Sequence, residues 1–398
     1  MNFRIIFGLI AVLALTKNFG FGQNPDIQAV VDRVSGDSIL KHIEVLQKFD
    51  RHALINDRRS TDYIVKYLKK YQFDTVYFQE MKFQWTIGGI DSLYTSLPNI
   101  IAVKKAKRNP DSIFILGAHY DAPWAFENLK GSEIPTSPGA DDNASGTSGV
   151  LDAARVLSGF GFNKTLIIIL FSAEEIGLQG SKYFVENLDR KNKIFAVVNL
   201  DMIAYQEKEN PKVTISTSPI SEDISNCVKN AISQYVDTLD YNISTFVHSD
   251  NLSFLDNDIP AVSLSDILTE NNANPYIHTM ADTIGVSVNS KNLAELITKT
   301  TVAAILELDN MNIPNSTSIH HPEGTEIKIF PNPVEEFVYI EVNDNNTGKT
   351  NIELLNICGE VIQSIITNSR ECLINISYCP DGIYFIRANG NVQKLIKE

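Results

Sequence analysis

The sequence predicts an α/β fold, with a central, mostly parallel sheet covered by helices on both faces and a small all-β sandwich after it. Three observations carry this. The run Leu166–Phe171 (Leu-Ile-Ile-Ile-Leu-Phe) is apolar on both faces, as a strand buried inside a parallel sheet is. Segments of strand character alternate with segments of helical period between residues 24 and 311, the order that builds a helix-covered sheet. Beyond residue 325 the helical period vanishes, and short alternating strands separated by turn residues take over.

In chain order, residues 24–72 read as helices: Ile39, Ile43, Leu46 and Phe49 recur at helical spacing, as do Tyr63, Ile64, Tyr67, Leu68 and Tyr71. Val76–Phe83 alternates as a strand does. Asn99–Lys104 and Ser112–Ala118 are expected as the next two strands, parted by the turn Arg108-Asn109-Pro110-Asp111. Helix Gly149–Leu157, the buried strand Leu166–Phe171, helix Lys182–Leu188 and strand Phe195–Leu200 follow. Helix Ile224–Tyr235, strand Ala261–Leu264 and the long helix Asn292–Met311 complete the first part. Asn312–Thr325 has no periodicity and reads as a linker. The strands expected after it are Glu326–Phe330, Val338–Val342, Asn351–Leu355, Val361–Ile366, Cys372–Ile376 and Gly382–Ala388. The expected domains are therefore 23–311 and 326–398, joined by 312–325.

Length and charge bound the rest. A chain of 398 residues is too long for one small domain, and 43% hydrophobic with 21% charged residues fits a globular protein. A net charge of −14 argues against nucleic acid or an anionic membrane surface as partner. Residues 1–22 read as a secretory signal: Arg4 precedes the apolar run Ile5–Leu15, which is too short to span a bilayer, and Gly20-Phe21-Gly22 offers a cleavage site. The mature chain is expected from Gln23, and no later segment has the length and apolarity of a transmembrane helix. Four cysteines are too few for a disulfide scaffold. Cys227 reads as a small buried residue, while Cys358, Cys372 and Cys379 could form one bridge of open pairing.

The chemistry gathers after strands. Glu174 and Glu175 directly follow the buried strand, at the carboxyl edge where α/β sheets place their sites. Such a pair alone reads as a solvated loop. Four further clusters, two at the ends of predicted strands, one leading into a helix and one in a loop before the final helix, reverse that reading: Gly117-Ala118-His119-Tyr120-Asp121, Asn199-Leu200-Asp201-Met202, Pro138–Gly146 with Asp141-Asp142, and Tyr276–Thr283 with His278 and Asp282. Two imidazoles and several carboxylates make a donor set suited to zinc. No glycine run ends in Gly-Lys-Ser/Thr, so no phosphate loop is expected. Ser145 and Ser148 lack a Gly-x-Ser-x-Gly elbow and read as helix capping and packing; His320-His321 reads as exposed linker.

In order and type, these five clusters resemble the di-zinc exopeptidases of the bacterial leucyl aminopeptidase and glutamate carboxypeptidase type, over residues 35–310. The resemblance implies a central mixed sheet flanked by helices. It also implies two Zn2+ ions, with His119 and Asp201 on one, Glu175 and His278 on the other, and Asp142 bridging both; Asp141 is then not a ligand. Glu174 takes the family's general-base position, Asp121 that of the carboxylate orienting the first histidine, and the Asp201-Met202 bond that of a non-proline cis peptide. Trp124, Phe126, Tyr205 and Tyr276 flank the clusters and are candidates for a substrate pocket. The implied activity is removal of N-terminal residues from peptides. The alternatives are a one-zinc glutaminyl cyclase and a non-catalytic binding protein on a peptidase scaffold. In the last module, Phe330-Pro331-Asn332-Pro333, Cys358-Gly359-Glu360-Val361, Pro380–Phe385 and Lys394–Lys397 resemble type IX secretion sorting domains. That resemblance implies type IX machinery as partner, export through periplasm and outer membrane, and secretion or display at the cell surface.

Overall fold

The computed structural model describes residues 24–310 and 326–397, apart from 56, 88–89, 96, 108, 126–135, 189–190, 247–248, 268–273, 344–349, 357–360, 368, 370, 381 and 389–390. The expected secretory signal and linker lie outside the described residues. The chain divides into two compact units, Met1–Ile313 and Pro314–Glu398.

The first unit opens with helices α1 (Pro25–Val31), α2 (Gly36–Leu46) and α3 (Arg59–Leu68). Asn24 and Ser35 cap the first two, each accepting a backbone N–H with its side chain. Then come β1 (Thr75–Gln79), β2 (Lys82–Ile87), β3 (Ile90–Thr95), β4 (Asn99–Lys104), β5 (Asn109–His119), α4 (Gly146–Leu157), β6 (Lys164–Phe171), α5 (Gln179–Glu186) and β7 (Ile194–Leu200). After these the chain forms β8 (Lys212–Ser216), α6 (Glu222–Tyr235), β9 (Asp240–Ser244), α7 (Asn251–Leu255), β10 (Ala261–Ser265) and α8 (Lys291–Asn310).

Eight strands form one mixed sheet in the order β1-β4-β6-β5-β7-β10-β8-β9. Four neighbouring pairs run parallel (β6/β5, β5/β7, β7/β10, β8/β9) and three antiparallel. Successive residues of the central strands enter opposite cores. Leu116, Ile168 and Val198 join one cluster with α4, α6 and α8, whereas Ile115, Ile169 and Val197 join another with Phe184 and Phe254. Both faces are covered, which is why Leu166–Phe171 reads as an unbroken apolar run.

The differences from expectation sit at the sheet's margins. The segment expected as one strand over Val76–Phe83 is broken: β1 joins the sheet, and β2 pairs with β3 as a separate hairpin. The turn expected at 108–111 is absorbed into β5, whose pairing with β6 is irregular between Asn109 and Ile113. β8 and β9 carry too little apolar pattern to be read from sequence, and β9 is an edge strand with Tyr241 and Ile243 exposed.

The second unit contains β11 (Glu326–Phe330), β12 (Phe337–Asn343), β13 (Thr350–Leu355), β14 (Val361–Thr367), β15 (Glu371–Asn375), β16 (Gly382–Ala388) and β17 (Asn391–Lys397). They form two antiparallel sheets, β11-β12-β15 and β14-β13-β16-β17, around a core of Val338, Ile340, Leu354, Ile374, Ile386 and Leu395. The expected cysteine bridge is corrected here: Cys372 and Cys379 are free, and both pack as small apolar groups at that core. Cys358 lies outside the described residues. Cys227 is free and buried, as expected. No helix among the described residues is long and apolar enough to cross a membrane.

Candidate metal centre

Three adjacent parallel strands, β6-β5-β7, end side by side and deliver most of the site. His119 is the last residue of β5, level with Phe171 of β6; Glu174 and Glu175 follow β6, and Asp201 follows β7. Asp142 comes from a backbone turn leading into α4. Gly139 enters that turn at φ 58, and a Cβ there would meet the Arg51 guanidinium and the Asp142 carbonyl at 2.5 Å. Gly146, at the start of α4, lies equally close to the Leu200 carbonyl: a Cβ would sit 2.5 Å from it. His278 comes from the loop ahead of α8.

The side chains converge. His119 Nε2 lies 3.2 Å from Asp201 Oδ1 and 3.4 Å from Asp142 Oδ1. His278 Nε2 lies 3.1 Å from Asp142 Oδ2 and 3.4 Å from Glu175 Oε2. Asp142 therefore turns one oxygen to each histidine. Donor atoms of His119, Asp142 and Asp201 lie within 4.8 Å of one another, as do those of Asp142, Glu175 and His278. His119, Asp142 and Asp201 are buried, whereas the His278 side chain is 40% exposed and forms the open edge.

Asp121, fully buried, has its Oδ1 3.5 Å from His119 Nδ1. The same carboxylate accepts the backbone N–H of Glu174 at 3.2 Å and that of Glu175 at 3.3 Å, so it fixes the acid pair as well as facing the histidine. Asp141 points elsewhere: it accepts from Ala204 N and from Asn274 Nδ2. Ser145 donates to the Asp141 carbonyl and accepts from Ile203 N, a packing role.

The charge balance of this cluster asks for a cation. Burial holds the Glu174 and Glu175 carboxyls well above the usual range, and neighbouring carboxylates push the same way. For His119, burial opposes the charged ring, but Asp201 and Glu174 outweigh it and raise it well above an ordinary histidine. The hydrogen bond to Asp142 raises His278. For Asp142, burial is outweighed by hydrogen bonds from both histidines, and its carboxyl is lowered. Glu175 Oε1 is buried with no hydrogen-bond partner. Three overlapping three-donor groups of nitrogen and oxygen (the two above and His119, Glu174 and Glu175), an orphaned carboxylate oxygen and histidines that otherwise need protons fit divalent zinc.

Backbone strain sits beside the candidate ligands. Ala173 (φ 60) precedes Glu174, Met202 (φ 54) follows Asp201, and His278 itself has φ 58. The non-proline cis peptide is Asp142-Asn143; the expected Asp201-Met202 link is not cis, and the chain turns there through the positive φ of Met202. Among the candidate pocket residues, Trp124 stacks on His52 at 4.1 Å, and the Tyr205 and Tyr276 rings meet edge-on at 6.2 Å. Tyr205 also lines a cavity of about 560 Å³ with Gln206, Lys212 and Asp266. Phe126 lies outside the described residues.

Sequence reasoning missed two groups. Arg51, fully buried, donates to the carbonyls of Tyr120, Pro138 and Gly139, and nothing in its surroundings along the chain marks it. Asp250 is buried near the cluster, and burial pushes its carboxyl up to about 7.

The profile of Peptidase family M28 matches residues 99–305, and that of the Secretion system C-terminal sorting domain matches residues 328–398. Aminopeptidase YwaD of Bacillus subtilis is 38% identical over 123 residues, covering 30% of this chain and 24% of that protein. The structure of BSAP, a zinc aminopeptidase from Bacillus subtilis, matches with TM-score 0.57 at 18% identity, over 69% of this chain and 95% of that one. Porphyromonas gingivalis glutaminyl cyclase matches with TM-score 0.55 at 20% identity, over 69% and 99%. At such identities these two structures speak for the shared fold. The matched part spans less than half the length of the first curated relatives. The first profile runs from β4 into α8, more than half of the chain, and includes every donor residue of the centre, so the protein belongs to peptidase family M28 and carries a C-terminal secretion-system sorting domain.

Proposed function

We propose that the protein is a secreted aminopeptidase that holds two zinc ions and releases N-terminal residues from peptides. One observation carries the reading: Asp142 offers Oδ1 toward His119 and Oδ2 toward His278, as a carboxylate shared by two ions must. His119 and Asp201 would hold one zinc, Glu175 and His278 the other. Zinc bound there supplies Lewis acidity, polarising a carbonyl and acidifying water. Glu174 stands outside the two three-donor groups that share Asp142 and forms a third with His119 and Glu175; with the ions held by the first two, its carboxylate would be left to accept a proton from water and return it to the leaving amine. Bound cations counter the rise that burial imposes on that carboxyl. Asp121 holds the Glu174 amide and faces His119 Nδ1, fixing base and ligand together.

Residues 1–22 serve as the export signal, 23–311 as the catalytic domain, 312–325 as linker, and 326–398 as the module read by the type IX machinery; the enzyme acts outside the cell or on its surface. The complete double donor set favours hydrolysis over cyclisation, because ring closure on an N-terminal glutamine needs one Lewis acid and no activated water. Product analysis tests this. Unblocked peptides should yield free amino acids, and N-acetylated ones none. Ammonia from a peptide beginning with glutamine, without cleavage, would establish the cyclase instead.

A further inference from the structure

One loop carries both His278 and a second buried acid, Asp282, that holds no place among the donor groups. Asp282 Oδ1 accepts the backbone N–H of Asp141 at 2.8 Å, and Oδ2 accepts that of Asp142 at 3.1 Å. Its own carbonyl accepts the N–H of Ala140 at 3.1 Å. Three consecutive amides of the bridging turn thus close on one residue. Ser137 adds a strut by donating from Oγ to the Thr279 carbonyl at 2.8 Å while accepting from Gly139 N at 3.1 Å. From the other side Arg51 grips the Gly139 carbonyl at 2.6 Å and the Pro138 carbonyl at 3.1 Å. The turn is clamped by an anion on its amides and a cation on its carbonyls.

The ligands outside this clamp are held differently. His119 ends β5 and Asp201 follows β7, two parallel strands in direct register, with Gly117 opposite Asn199. The sheet fixes their separation whatever the loops do. Asp142 and His278 sit on segments outside the sheet; Asn143 ties the first to the end of β7 through the Leu200 carbonyl and Met202 N, and Asp282 with Ser137 ties the two segments to each other.

We infer that Asp282 is the positioning residue that locks the Asp142 turn to the His278 loop and so preforms the zinc site shared by Asp142, Glu175 and His278. The inference rests on the two-ion reading given above. Its chemistry is a bidentate acceptor on two adjacent amides, a task that asparagine, of nearly the same shape, cannot perform. In Asp282→Asn the carboxamide oxygen satisfies one amide while its N–H₂ is set against the other, leaving a buried donor unpaired.

The test measures zinc affinity with a competing chelator on the full chain, for wild type and for Asp282→Asn. Wild type should bind two ions. The variant should bind one ion within about threefold of wild type and the other at least ~10-fold more weakly, the effect expected of a group that orients metal ligands. Asp282→Glu, which keeps both acceptor oxygens, should hold the weakened ion more tightly than the Asn variant does. A general loss of stability would weaken both ions alike. If Asp282→Asn folds only with zinc present, the rates at which its two ions pass to the chelator replace the affinities. Two ions held as in wild type, or two ions weakened equally, overturn the clamp. Wild type binding a single ion overturns the two-ion reading instead, so the two failures are distinguishable.

Discussion

Replacing Glu174 with glutamine keeps the shape of the side chain and removes its capacity to accept a proton. The structure predicts opposite effects on activity and on the stability of the metal-free protein. Loss of general-base transfer should lower kcat by roughly 10²–10⁴, equal to about 3–5 kcal/mol of barrier. Both zincs should stay, since each retains the three donors of its own group: His119, Asp142 and Asp201, or Asp142, Glu175 and His278. Without metal, the wild-type Glu174 carboxyl is raised by burial and then by Asp201, Asp250 and Asp121. A carboxyl raised on folding makes the native state bind the extra proton, so its contribution is full below the unfolded pKa and is lost as pH rises toward the folded value. Glutamine has no such loss. Metal-free Glu174→Gln should therefore melt above metal-free wild type at pH 8, and the gap should shrink toward pH 4. Elemental analysis, steady-state kinetics and melting curves at the two pH values decide it. Zinc lost together with activity would mean that Glu174 and Glu175 have exchanged roles. An unchanged kcat, or no pH-dependent gap, would refute the reasoning on the base or on the buried charge.

Two further outcomes follow from other parts of the chain. His42 is buried, bonded through Nδ1 to the Tyr63 hydroxyl at 2.7 Å, and burial pushes it down to about 4. A lowered histidine stabilises fully above its unfolded pKa and loses that contribution as pH falls from 6.5 toward 4, so wild type should lose about 2 kcal/mol by pH 5 relative to His42→Gln; equal acid sensitivity of the two proteins would contradict this. A chain ending at Ile313 should fold and cleave peptides, because all ligands lie in the first compact unit, yet stay unexported in its native host. An unfolded, inactive truncation would make the β-module part of the enzyme core.

Much of this was legible because the site hangs on the most regular part of the fold. Leu166–Phe171 reads as a buried strand since alternate residues enter two different cores, and three of the candidate ligands, His119, Glu175 and Asp201, follow from where β5, β6 and β7 stop. The split roles of Asp141 and Asp142 came only from the family resemblance, because the two acids are adjacent and alike in sequence. What escaped has no local signal. Arg51 stands among residues of helical character and acts on carbonyls 69 to 88 positions away. Asp282 stands in the His278 cluster that the sequence marks, but its role on amides 141 and 140 positions away shows only in the folded loops. β8 and β9 escaped for a different reason: β9, with Tyr241 and Ile243 exposed, buries too little to impose a pattern, and β8, though buried at Val213–Ile215, is only five residues long.

The claim on which the rest depends is that Asp142 joins two ions into one working centre. Zinc titrated into metal-free full-length protein, with bound metal and release of amino acids followed together, tests it most directly. Activity should keep rising until two zincs per chain are bound, and His119→Ala should bind fewer and lose at least ~10²-fold in rate. Full activity at one zinc per chain, with His119→Ala still active, would contradict the account.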